Sequence, residues 1–124
     1  REGRRLGVEH MVITHPMSAS VKMNVAQMQE AAKTGAFLEM VYVPTLSNAT
    51  RKALFSVADI ADTIRKVGVE SVVLSTDMGQ IGLAPPPDGM SAYIAELKAK
   101  GFTQRELDRM TKENPARLLG LPAR

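Results

Sequence analysis

Ser71-Val72-Val73-Leu74-Ser75-Thr76-Asp77 is the stretch on which the fold turns. Three large aliphatic residues run without a break, polarity returns at once, and the segment ends on a carboxylate. A short apolar run bounded by turn signals suits a strand buried on both faces, as in a parallel sheet. Met78-Gly79-Gln80-Ile81-Gly82 then reads as a loop. The sequence therefore predicts Asp77 at the carboxyl end of a central strand. In open α/β sheets and α/β barrels, ligands and catalytic groups gather along that edge.

Working outward, two further strands are predicted upstream. Val8 to Thr14 has Met11-Val12-Ile13 as its buried run and is closed by His15-Pro16. Ala36 to Val43 is apolar except for Glu39, and Pro44-Thr45-Leu46-Ser47-Asn48 follows as a loop. Helices fill the gaps. One is expected over about 21–34, with Ser18 or Ser20 as N-cap and Val21, Val25, Met28 and Ala32 on one face. A second is expected over roughly 53–67, with a Ser56–Asp59 capping box, and Gly68 as its stop. A third runs over about 89–100 with Met90, Ile94 and Leu97 inward, after a loop stiffened by Pro85-Pro86-Pro87. Thr103 and Glu106 form another capping box, opening a short helix to about Lys112. Asn114-Pro115 reads as a cap and first turn of a last helical segment ending at Leu119.

The order is β-α-β-α-β-α. It implies an α/β fold with parallel neighbours, right-handed crossovers and helices covering a sheet. Parallel strands bring all their carboxyl ends to one edge, so His15, Pro44-Thr45 and Asp77 should lie along it together.

Composition narrows the function classes. At 124 residues the chain is a single domain, 1–124, or part of a larger one. Its 44% hydrophobic share is ordinary for a globular chain, with a Met-rich, aromatic-poor core. No window approaches the ~20 apolar residues of a membrane span, and no secretory signal is readable. The absence of Cys excludes disulfides, thiolate metal sites and a Cys nucleophile, and suits a cytoplasmic setting. The net charge of +3 includes Arg1, Arg4 and Arg5, so no general nucleic-acid surface is read from it. Arg1 to Leu6 reads as the last turn of a helix stopped by Gly7, as expected of a fragment or a processed piece.

The chemistry-bearing candidates are few. A strand-end Asp77 by itself is most simply a turn residue, and a strand-end His15 a histidine satisfied by a carbonyl. Together on one edge, an imidazole and a carboxylate are ligands for a borderline-soft divalent cation such as Zn²⁺, or a base and its orienter. They do not fill a metal site. His10 lies at the opposite end of its strand. Glu39 sits mid-strand among apolar residues, where a buried carboxylate must be paired; it is a candidate supporting or substrate-binding residue. Gln80 in the loop is a second substrate-binding candidate. The capped helices with Arg105, Arg109, Lys112 and Arg117 superficially suggest DNA binding, but Glu106, Asp108 and Glu113 interleave with the bases, as on a solvated charged face.

Four phrases carry a resemblance: Val12-Ile13-Thr14-His15-Pro16, Gly35-Ala36-Phe37-Leu38-Glu39, Leu74-Ser75-Thr76-Asp77, and Glu113-Asn114-Pro115-Ala116-Arg117-Leu118-Leu119-Gly120. Together the chain resembles the C-terminal part of the amidohydrolase superfamily, metal-dependent hydrolases built on a (β/α)₈ TIM barrel. It is most similar to amidohydrolase-like proteins whose last strand reads Ser-Thr-Asp followed by Gly-Gln. The resemblance covers essentially the whole chain but only the last three βα units of that barrel, with extra C-terminal helices. It implies that His15 is the strand-six metal-site histidine. It implies that Asp77 is the strand-eight aspartate, which ligates metal and moves the proton of the attacking water. Glu39 falls on strand seven, which usually supplies no ligand. The family's His-x-His pair and its strand-four and strand-five ligands are absent from the sequence.

The resemblance therefore implies a hydrolase of a small-molecule amide, ester or related bond. Its cofactor would be a divalent metal ion, zinc first, with manganese, iron or nickel as alternatives. This chain would hold only part of the site. The rival class is a non-catalytic truncated barrel module acting as an oligomeric structural piece. Either way, three parallel strands leave unprotected edges. The chain is expected to form a homo-oligomer or to need the missing N-terminal half of the barrel.

Overall fold

The computed structural model describes residues 2–48 and 51–122; Arg1, at the head of the segment expected to be the last turn of a helix, lies outside them. A short helix α1 (Glu2–Arg5) leads into β1 (Val12–Thr14), α2 (Val25–Lys33), β2 (Phe37–Val41), α3 (Val57–Val67), β3 (Val72–Ser75) and α4 (Pro86–Ala99). The three strands form one parallel sheet in the order β1-β2-β3. The α/β alternation is as the sequence predicts, with one correction. The central strand is β2, and Ser71–Ser75 forms an edge. An apolar run reports burial of side chains; it does not report how many strands the backbone pairs with.

Strand lengths follow from register. Val12 pairs with Phe37, the first residue of β2, so the stretch predicted as strand from Val8 has no neighbour before that point. The last rung below it is Phe37 N–H donating to the Met11 carbonyl at 2.9 Å. β2 ends at Val41 for another reason: the chain winds into a 3₁₀ turn over Val43–Thr45.

Pleating sorts the side chains into two sets. Leu38, Met40, Val72 and Leu74 face the helices and join Met28 of α2, Val57, Ile60, Ala61 and Ile64 of α3, and Tyr93 and Leu97 of α4 in one buried cluster. Phe37, Glu39, Val41, Val73 and Ser75 alternate with them, and none belongs to that cluster. In a closed barrel this second face would be the interior.

Helix starts show where local chemistry decides and where it does not. The Ser56 box forms as expected: Asp59 N–H donates to Ser56 Oγ at 3.2 Å, and Ser56 N–H donates to the Asp59 carboxylate at 2.7 Å. The Thr103–Glu106 box forms in the same way. Neither Ser18 nor Ser20 caps α2. Asn24 does, with Gln27 closing the box, so the helix starts at Val25 and Val21 is left exposed. α4 starts three residues before the predicted position. Pro86 and Pro87 occupy its first turn, where no backbone N–H is needed, so the proline run opens the helix. Tyr93 is its most buried residue beside Leu97, while the expected inward Met90 and Ile94 are half-buried.

After α4, Arg65 of α3 clamps the turn. Its guanidinium lies 3.7 Å above the Phe102 ring, donates to the Gly101 carbonyl at 3.0 Å and pairs with Glu106. Arg65, with the Thr103 N–H, holds the Glu106 carboxyl down at about 2.

The end of the chain differs most from expectation. α5 (Gln104–Asp108) and α6 (Asn114–Leu118) are joined by a π-helical turn, Arg109–Glu113, into one continuous helical path. Pro115 has no N–H to give the preceding turn, and the widened turn absorbs the missing bond. Asn114 N–H reaches back to the Arg109 carbonyl. Asn114 is therefore not a cap. It is fully buried, and its Nδ2 donates to the Val69 and Val72 carbonyls at 2.7 and 2.6 Å. Arg117 lies over the Phe37 ring at 5.4 Å. The segment thus closes the amino-terminal end of β2 and β3 and leaves the carboxyl ends open. Among the described residues, no helix is long and apolar enough to cross a membrane.

Candidate functional site

The carboxyl edge is built from the strand ends. β1 finishes at Thr14, and His15 turns the chain with φ 35°, in the left-handed region. Beyond β3 the ladder continues for two rungs, with Tyr42 N–H donating to Ser75 O at 3.1 Å and Val43 N–H to Thr76 O at 3.0 Å. The chain then breaks away at Asp77, with φ 55°. His and Asp are among the non-glycine residues that tolerate this region, at a cost of about 1 kcal/mol or more each. Both strand-end candidates thus carry strained backbone.

Glu39 and Ser75 come from the face that the helices do not cover. Ser75 Oγ donates to Glu39 Oε1 at 2.7 Å, which gives the half-buried carboxylate one fixed partner. Thr14, His15, Glu39, Val41, Ser75, Thr76 and Asp77 line one open concavity of about 470 Å³. All three strands contribute to it, and none of the lining residues is Lys or Arg. His15, Glu39 and Asp77 are brought to one place. Gln80 is not among the lining residues; its Nε2 donates to the Asp77 carbonyl at 2.9 Å and braces the loop. His10 lies away from this edge, in a separate groove beside β1 and α2 with Glu30 and Ala36.

His15 has a partner that sequence reading missed. Its Nδ1 is 3.1 Å from Ser18 Oγ, and Ser18 Oγ is 2.9 Å from Ser20 Oγ. Ser75 and Thr14 were missed as well. For Ser75 a signal existed: strand alternation puts it on the same face as Val73, and register then puts that face beside Glu39.

The donor set tests the metal expectation. Among the described residues, no group of three His, Cys, Asp or Glu is arranged to hold a metal ion. A zinc site takes three or four protein ligands. His15 and Asp77 do not make up such a set by themselves. No protein-family model matches the sequence, and no curated protein matches it.

Proposed function

We propose that this chain forms the last βα units of an amidohydrolase-like barrel and carries part of a metal-dependent hydrolase site. The observation that carries the reading is that His15 and Asp77, from the two edge strands, line one concavity with Glu39 of the central strand between them. Acceptor side chains without a neighbouring Lys or Arg suit a cation, zinc first and manganese, iron or nickel as alternatives. When bound, the cation would polarise the scissile carbonyl or related bond and acidify a water.

The chain's own residues take the remaining roles. His15 offers a ring nitrogen as a donor. Asp77 lies at the exposed rim, where its carboxylate can ligate and also take the proton of the attacking water. Glu39, steadied by Ser75, accepts hydrogen bonds from a small-molecule substrate. The remaining ligands come from the N-terminal half of the barrel or from a second copy.

A second reading is favoured by the incomplete donor set: a non-catalytic barrel module that persists as an oligomer. Calorimetric titration of the full 124-residue chain with Zn²⁺ separates the two. The hydrolase reading expects stoichiometric binding that weakens at least tenfold in Asp77→Ala and in His15→Ala. Binding that both variants leave unchanged supports the inert module, and no binding at all rules out completion of the site by a second copy.

A further inference from the structure

Ser18 and Ser20 look like helix caps in the sequence, yet the structure gives Ser18 to His15 and Ser20 to Ser18. Ser18 holds His15 twice. Its N–H donates to the His15 carbonyl at 2.9 Å, closing the turn in which His15 has its left-handed backbone, and its Oγ sits 3.1 Å from Nδ1. A hydroxyl has a single proton. If Ser18 gives it to Ser20 Oγ, at 2.9 Å, then Ser18 accepts from Nδ1–H. In the reverse arrangement Ser20 donates to Ser18, Ser18 donates to Nδ1, and the ring proton moves to Nε2. A neutral imidazole keeps its proton where an acceptor is in place. Ser18 Oγ is placed to be that acceptor for Nδ1–H when it gives its own proton to Ser20.

We propose that Ser18 is a positioning residue that fixes His15 in the Nδ1–H tautomer and leaves the Nε2 lone pair for the concavity shared with Glu39 and Asp77. The proposal rests on the reading of His15 as a donor and adds what makes it one. Partners of this kind orient ligating histidines and change metal affinity by about 10- to 100-fold. The exposed Ser20 takes up the relayed proton bond at the surface.

The test is ¹⁵N NMR of the His15 imidazole in the full chain, at a pH where the ring is neutral. The wild type should carry its proton on Nδ1, Ser18→Ala should shift it toward Nε2, and Ser18→Thr, which keeps the hydroxyl, should restore it. A wild-type proton on Nε2, or a tautomer unchanged in Ser18→Ala, overturns the proposal. The amide spectrum of Ser18→Thr checks that the turn still folds. Zn²⁺ titration of the same variants separates the two readings. Binding that is equally tight in wild type and Ser18→Ala overturns the positioning role alone. Absence of Zn²⁺ binding in the wild type rules out completion of the site by a second copy and leaves the tautomer result to decide this proposal.

Discussion

Asn114→Asp should cost the fold about 3 kcal/mol, because it exchanges two buried donors for acceptors that face the Val69 and Val72 carbonyls. The side chain is fully buried, and the one basic group that touches it, Arg117, already donates to Asn114 Oδ1 at 3.3 Å and does not supply donors to the Val69 and Val72 carbonyls. Asn114→Leu should cost a similar amount, since it strands the same acceptors, although Val69 O keeps the Val72 N–H. The aspartate variant is the informative one. A helix cap accepts aspartate as readily as asparagine. A residue that ties β3 to the C-terminal helix through Nδ2 does not. Urea denaturation reads the difference. An aspartate variant as stable as wild type would return Asn114 to the role its sequence context suggests.

Tyr93→Ala should be at least as damaging, at about 3–5 kcal/mol for loss of a fully buried aromatic. Tyr93 stacks on Tyr42 with ring centroids 4.8 Å apart and planes within 16°, and it bridges α4 to the residue that follows β2. Packing supplies the energy, because the hydroxyl reaches the Met40 carbonyl only at 3.5 Å. Tyr93→Phe should therefore cost less than about 1 kcal/mol. Tyr42 offers a second readout. Burial, together with its hydrogen bond to Glu96, pushes its phenol up to about 12. Opening a cavity beside it in Tyr93→Ala lets water in, so ultraviolet titration should find Tyr42 ionising closer to its usual value. A phenylalanine variant as unstable as the alanine variant would move the weight from packing to the hydroxyl.

These two residues mark where the sequence was opaque. Asn114-Pro115 has the local form of a cap, and only the position of β3 reveals that the amide is spent on strand carbonyls. Tyr93 lies between Met90 and Ile94, and helical spacing alone did not put it at the centre of the packed face. What was legible was local. The Ser56 and Thr103 boxes, and the glycine stop at Gly68, depend on a few adjacent residues and form as read. The parallel direction of the strands followed from alternation, but the central place did not, because it belongs to β2 and Ser71–Ser75 lies at an edge. Neither did strand ends, because pairing stops where the neighbour stops, as at Val12 opposite Phe37.

The candidate site divides in the same way. His15 and Asp77 were legible because a residue that follows a parallel strand lies on the carboxyl edge. Their left-handed backbone, the Ser18 contact and the Ser75–Glu39 bond were not, because each depends on how a turn closes or on which residues register sets side by side.

The central claim is that His15, Glu39 and Asp77 work on one ligand. Amide NMR of the full chain during titration with Mn²⁺ tests it most directly, because the paramagnetic ion broadens only nearby signals. The account predicts that broadening begins together at Thr14, His15, Glu39, Ser75 and Asp77 and spares His10 and Glu30 in the groove beside β1. Broadening that centres on His10, or that shows no preference for the carboxyl edge, would contradict it.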